Sequence, residues 1–251
     1  MGEAAFWGAV GASALVVGAE VTFGFKLSRM VIGLIMAFGV GALISSVSFE
    51  LVVPAMQDAE TWQVALGLAL GSLTFFAGDR AIARMGSKGK DRKDPPDESD
   101  DGDGEDDEGG SLGIVLGTVL DGVPESAVLG MSLVGGAGVS ISLLAGIWIS
   151  NFPESLGSSV NLVASGWSKT KIRLLWWAIV AVSAVSAGLG FVVVDNSSTL
   201  SGVLIESFAA GALLTMIADE MAPEAYDRGK IYAGLMTVAG FALALWLTSL
   251  E

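Results

Sequence analysis

The sequence predicts an all-α polytopic membrane protein, with eight transmembrane helices in a 3+2+3 inverted-repeat bundle. Three observations predict it. Apolar residues fill 52% of the 251 positions and the mean hydropathy is +0.65, which leaves too little polar surface for a water-soluble globule. Eight apolar segments each approach the roughly 20 residues that a helix needs to cross a bilayer, whereas the ten-residue alternation of a membrane barrel is absent. All 13 Lys and Arg residues fall in alternate connections or at their edges.

In chain order the segments are 4–25, 31–54, 62–84, 111–135, 138–165, 173–194, 200–222 and 230–250. The first follows Met1, Gly2 and Glu3, without the basic start or small-residue cleavage site of a secretory signal, and reads as a retained span. The second follows Lys26 and Arg29. The third ends among Arg80, Arg84, Lys88, Lys90, Arg92 and Lys93, the sixth follows Lys169, Lys171 and Arg173, and the eighth follows Arg228 and Lys230. Under the positive-inside rule these connections are cytoplasmic, so a plasma (inner) membrane protein with both termini extracytoplasmic is expected. Trp7, Trp62 and Trp246 at outer ends, and Trp167, Trp176, Tyr226 and Tyr232 at inner ends, fit interfacial belts.

Four regions follow: residues 1–85 with the first three helices, an acidic cytoplasmic loop at 86–110, helices four and five at 111–165, and the last three helices at 166–251. Within the loop, DRKDPPDESDDGDGEDDEGG holds 11 acidic and two basic residues and almost nothing apolar. It cannot bury enough surface to fold, and a disordered spacer is expected.

The chain has no cysteine and no histidine. That removes disulfides, thiolate metal sites, Ser/His and Cys/His nucleophilic machinery and the histidine-based zinc enzymes together. No enzyme, organic cofactor or nucleic-acid partner is expected, and any chemistry must use oxygen.

Internal symmetry is visible in the residues. Shifting the chain by about 170 positions lays FGVGALISSVSFE (38–50) on FAAGALLTMIADE (208–220), so that Phe38, Gly41, Ala42, Leu43 and Glu50 meet Phe208, Gly211, Ala212, Leu213 and Glu220. The second and seventh spans run in opposite directions, as inverted repeats require. Pro124, Glu125 and Ser126 recur as Pro153, Glu154 and Ser155 in the antiparallel fourth and fifth spans.

Nine acids lie within the spans: Glu20, Glu50, Asp79, Asp121, Glu125, Glu154, Glu206, Asp219 and Glu220. From sequence, no Lys or Arg lies deep enough to neutralise them. A charge at the bilayer centre costs roughly 2.5 to 3.5 kcal/mol even on the lenient insertion scale, so protons, water or a bound cation must compensate. Asp121 and Glu125, four apart, share one helical face, and Ser150 and Glu154 repeat that spacing with Asn151 beside them. Pro124 and Pro153 cannot bond the carbonyls of Leu120 and Ile149, freeing main-chain oxygen at the same depth. Carboxylates, an amide, a hydroxyl and loose carbonyls form a cage for a divalent cation. The expected metal-binding set is Asp121, Glu125, Ser150, Asn151 and Glu154, with Glu50, Asp219 and Glu220 as further acids along a pathway.

These residues resemble the ZIP (Zrt/Irt-like) family of divalent-metal transporters. DGVPES (121–126) is similar to that family's HNxPEG motif in span four, SNFPES (150–155) to HExPEG in span five, and DEMAPEA (219–225) to its EExxPEA ending in span seven. GALISSVSFELVVPA (41–55) is similar to its second span. The resemblance implies transport of a divalent metal (Zn, Mn, Fe, Mg or Cd) as substrate, a midplane site between spans four and five, alternating access, and a homodimer. Asp121 and Ser150 replace the motif histidines, Gly122 the motif asparagine, and Asn151 stands at an acidic position. Span six, 173–194, supplies no carboxylate. These departures leave open which metal is carried and whether the site holds one ion or, as the family often does, two. The alternatives are a non-transporting, ZIP-like metal sensor or scaffold, and a proton-coupled carrier of an organic cation; an intramembrane protease lacks its histidine.

Overall fold

A computed structural model describes residues 1–25, 27–86, 108–136 and 138–250. The described chain is helical, with no strand. Its helices are α1 (Gly2–Gly24), α2 (Arg29–Asp58), α3 (Thr61–Gly86), α4 (Glu108–Met131), α5 (Ile141–Ala164), α6 (Lys169–Asp195), α7 (Thr199–Met216, continued through Ile217–Met221 and Ala222–Gly229) and α8 (Ala233–Thr248). Five described stretches are long and apolar enough to cross a membrane: Gly2–Gly24, Arg29–Asp58, Thr61–Ile82, Lys169–Asp195 and Thr199–Thr248. The last holds both α7 and α8, which are separated by a 3-10 turn at Lys230–Tyr232 where Lys230 takes φ of 53°. The other two helices, α4 and α5, have 24 residues each, and the acids, serines and amide they carry dilute their hydropathy.

The helix limits differ from the apolar segments for local reasons. Ser28, Ser140, Ser168 and Ser198 cap α2, α5, α6 and α7, each accepting from the main-chain N–H three residues on. Capping satisfies an otherwise orphan donor, so helix starts where the serine is rather than where hydropathy rises. α4 stops at Met131 instead of 135 because Gly135, Gly136 and Gly138 take φ of 92°, 79° and 86°, a region open to glycine but not to a continuing right-handed helix. α7 runs past 222 to Gly229, with Pro223 directly after the π segment, whose irregular turn accommodates a residue without an N–H. The loop expected at 86–110 lies almost wholly outside the described residues; only Gly86 and Glu108 to Gly110 are described, all of them helical.

Glycine sets the helix crossings. A Cβ on Gly41 would fall on the carbonyl oxygen of Thr237, and one on Gly240 on that of Phe38, so α2 and α8 touch backbone to backbone. The α3–α7 crossing repeats this arrangement, with Gly71 against Phe208 and Gly211 against Leu68. Membrane helices associate in this way because lipid tails are as apolar as the side chains, so no hydrophobic force drives the contact and close van der Waals approach must supply the attraction. Since Phe38 and Gly41 match Phe208 and Gly211 in the repeat, the two crossings have corresponding partners. α1 lies along both α5 and α6, and α6 along α4.

The repeat extends to an irregularity. α2 widens into a π turn at Val47–Val52 and α7 into one at Ile217–Met221. Each contains the matched glutamate, Glu50 or Glu220. π turns are rare and frequently mark functional positions.

Large apolar side chains cover the outside. Leu66, Leu70 and Leu73 of α3, Leu174, Trp177, Val185 and Leu189 of α6, and Leu235, Val238 and Trp246 of α8 are all exposed, a surface suited to lipid rather than water. Trp176 departs from the expected interfacial belt. It is fully buried with Leu15, Ile172 and Ile179, and its indole N–H donates to Ser159 Oγ at 2.9 Å. Hydropathy placed it near a span end, but its face of α6 turns toward α1 and α5. Trp176→Ala should therefore destabilise the protein by about 3 to 5 kcal/mol, the usual cost of emptying a buried tryptophan site, read as a fall in thermal unfolding midpoint in detergent.

Candidate functional site

The five residues of the expected site fall into two tiers. In the first, α4 and α5 face each other at Glu125, which is 2% exposed, and Ser150, which is 1% exposed. Ser150 Oγ stands 3.3 Å from Glu125 Oε1 and 2.9 Å from the carbonyl oxygen of Ile147, and its single proton can be donated to either. Asn151 is buried beside them, close enough to interact with Glu125, while its Nδ2 reaches the carbonyl of Gly11 on α1 at 3.5 Å. The i, i+4 arrangement read from sequence places Glu125 here, one turn beyond Asp121. Both helices run through their prolines, Pro124 and Pro153, without ending.

The second tier is a cavity of about 40 Å³ lined by Asp121 of α4, Glu154 of α5, Met36 of α2, and Met216, Glu220, Met221 and Glu224 of α7. This is room for one ion or for two or three waters, since a single water needs at least about 10 to 15 Å³ of such space. Asp121 interacts electrostatically with Glu154 and Glu220, and Glu154 with Glu125, Glu220 and Glu224. Asp79 of α3 is near enough to act on Asp121 and Glu220. Asp121 Oδ1 and Glu125 Oε2 are buried without a hydrogen-bond partner. A buried carboxylate oxygen left bare costs more than almost any other polar group, so each calls for a proton or a cation. Among the described residues no three acids already stand as a closed metal cage.

The cavity follows from a break in the repeat. α2 packs closely against α5, but α4 and α7, the corresponding pair, touch far less. The space left between α4 and α7 is where Asp121 and Glu220 meet. The π turn at Ile217–Met221 presents Glu220 and Met221 to it.

The pathway acids separate. Glu220 joins the cavity. Asp219 is exposed and borders an apolar groove between α3 and α7, beside Leu68, Phe76 and Leu214. Glu50 lies apart, in a group with Ser142 and Thr248. Its Oε1 accepts from Ser142 Oγ at 3.1 Å and Thr248 Oγ1 at 2.7 Å, and Ser46 and Ser140 stand within 3.4 and 3.5 Å of Ser142.

Glu224, Met36, Met216 and Met221 were missed as cavity residues. Glu224 is four residues beyond Glu220, the same spacing that paired Asp121 with Glu125, and that rule applied to α7 would have found it. The absence of neutralising bases also needs correction. Arg173 pairs with both carboxylate oxygens of Glu20 because α1 and α6 lie side by side. Arg228 pairs with Glu224 from the next turn of α7.

No protein-family model matches the chain, and no curated protein matches it significantly.

Proposed function

We propose that the chain transports divalent metal cations across a membrane as a divergent ZIP-type carrier, and that it performs no catalytic step. On this reading its eight helices all cross the bilayer in a 3+2+3 inverted repeat, with the termini outside a plasma membrane. The observation that carries the proposal is the meeting of Asp121, Glu154, Glu220 and Glu224, from three helices, on one ion-sized cavity, with a bare buried oxygen on Asp121. Several acids around so small a space oppose folding as like charges unless protons or a bound cation offset them.

The donor set favours a class of cargo. Carboxylates alone suit Mg²⁺ and Mn²⁺, but three methionine side chains line the same cavity, and thioether sulfur is a soft donor. The sulfur favours borderline and soft ions such as Fe²⁺, Zn²⁺ and Cd²⁺ over Mg²⁺, while the carboxylates still admit Mn²⁺. A site of this mixed kind would bind by exchanging protons or water for the ion, with Glu125, Ser150 and Asn151 forming the next set of oxygens along the path.

Purified protein in proteoliposomes should take up radioactive Mn²⁺, Zn²⁺ or Cd²⁺ down an imposed gradient, and saturably. Metal binding without flux under any gradient would favour the sensor or scaffold reading instead.

A further inference from the structure

We infer that Arg228 is a built-in counter-cation of the cavity, which competes with the transported ion for Glu224 and so lowers affinity at that rim. The inference rests on the transport reading above and extends it to a specific residue.

Arg228 is the one basic side chain, among the described residues, that is ion-paired to a cavity acid. Its side chain is 16% exposed although it stands in the last turn of α7, and Glu224 is 44% exposed. The low exposure comes from two glycines on two other helices. A Cβ at Gly157 of α5 would lie 2.9 Å from Arg228 Nη1 and 3.1 Å from Nη2. A Cβ at Gly33 of α2 would fall on Arg228 Cβ and the nitrogen of Gly229. Arg228 is thus wedged between α2 and α5, in a slot that any side chain at either position would fill.

The slot adjoins the cavity. Gly157 is three residues beyond Glu154 and Gly33 three residues before Met36, so on each helix the glycine lies one turn from a cavity residue on the same face. Glu224 belongs to both places: it lines the cavity and it pairs with Arg228. A dication in the cavity and the guanidinium therefore draw on the same carboxylate. When the ion takes Glu224, Arg228 is left as an unpaired positive charge close by, repelling it; when Arg228 recovers Glu224, the ion loses a ligand. Both effects loosen binding, which a carrier needs at the side where cargo leaves.

The test is Cd²⁺ and Mn²⁺ binding by isothermal calorimetry on full-length protein in detergent, for wild type, Arg228→Gln, Arg228→Lys and Gly157→Ala. Arg228→Gln keeps a hydrogen-bonding side chain without the charge and should bind on the order of tenfold more tightly, the scale of one nearby unit charge. Arg228→Lys should bring affinity back toward wild type. Gly157→Ala displaces the guanidinium without changing any charge and should tighten binding by a smaller factor, which keeps the question open to test if Arg228→Gln folds poorly. A residue with only a packing role gives weaker binding when altered, so a gain separates the two roles. Unchanged or weaker binding by both Arg228→Gln and Gly157→Ala overturns the counter-cation role while leaving transport intact. A wild type that binds neither metal overturns the transport reading and this inference with it.

Discussion

Glu154→Gln should cut metal flux by at least about a hundredfold while leaving the thermal unfolding midpoint almost unchanged. The substitution keeps the shape of the side chain and removes its charge, and loss of even an outer partner of a metal commonly costs 10- to 100-fold in affinity. Glu154 is where the two tiers join, since it lines the cavity and also acts on Glu125. Glu125→Gln should behave likewise, losing the bare Oε2 that faces no protein donor. Asp219→Asn is the informative comparison, because Asp219 adjoins Glu220 in sequence but borders the groove between α3 and α7 instead. Its flux should fall far less. Normal uptake by Glu154→Gln, or equal losses in all three variants, would show that the cavity is not on the transport path.

Gly41→Leu and Gly211→Leu should each destabilise the protein by at least about 3 kcal/mol, the upper end of what overpacked interiors usually cost. The obstacle in both cases is a main-chain carbonyl of the facing helix, at Thr237 or Leu68, and a backbone cannot rotate aside as a side chain can. Gly234→Leu serves as the reference, since nothing lies within 4 Å of a Cβ there; it should shift stability by no more than about 0.5 kcal/mol. Thermal unfolding in detergent reads all three. If Gly41→Leu melts with Gly234→Leu, α2 and α8 do not cross as described.

Hydropathy and charge made the helices legible because crossing a bilayer demands a fixed length of apolar chain. Helical spacing made the acids of α4 and α5 legible, since residues four apart share a face whatever the tertiary structure. The match of Glu50 with Glu220 was legible too, and both stand in π turns. What stayed hidden depended on neighbours distant in sequence. Arg228 looked like a membrane-edge charge, because the glycines that admit it belong to α2 and α5. Trp176 looked interfacial, because only the packing of α1 and α5 decides which way its face of α6 turns. Glu224 was passed over because it falls beyond the apolar stretch, whereas α7 continues as helix to Gly229.

The widened turn of α7 has a consequence for how the cavity is walled. A π turn takes up one residue more than the α-turn it replaces, so the helix before Ile217 and the helix after Met221 keep their bearing while the residues between them are pushed outward. Glu220 and Met221 owe their place on the cavity wall to that bulge. Deleting a single residue between 217 and 221 would return the turn to ordinary α-helix and draw this stretch of wall back, with Glu224 and Arg228 still in register.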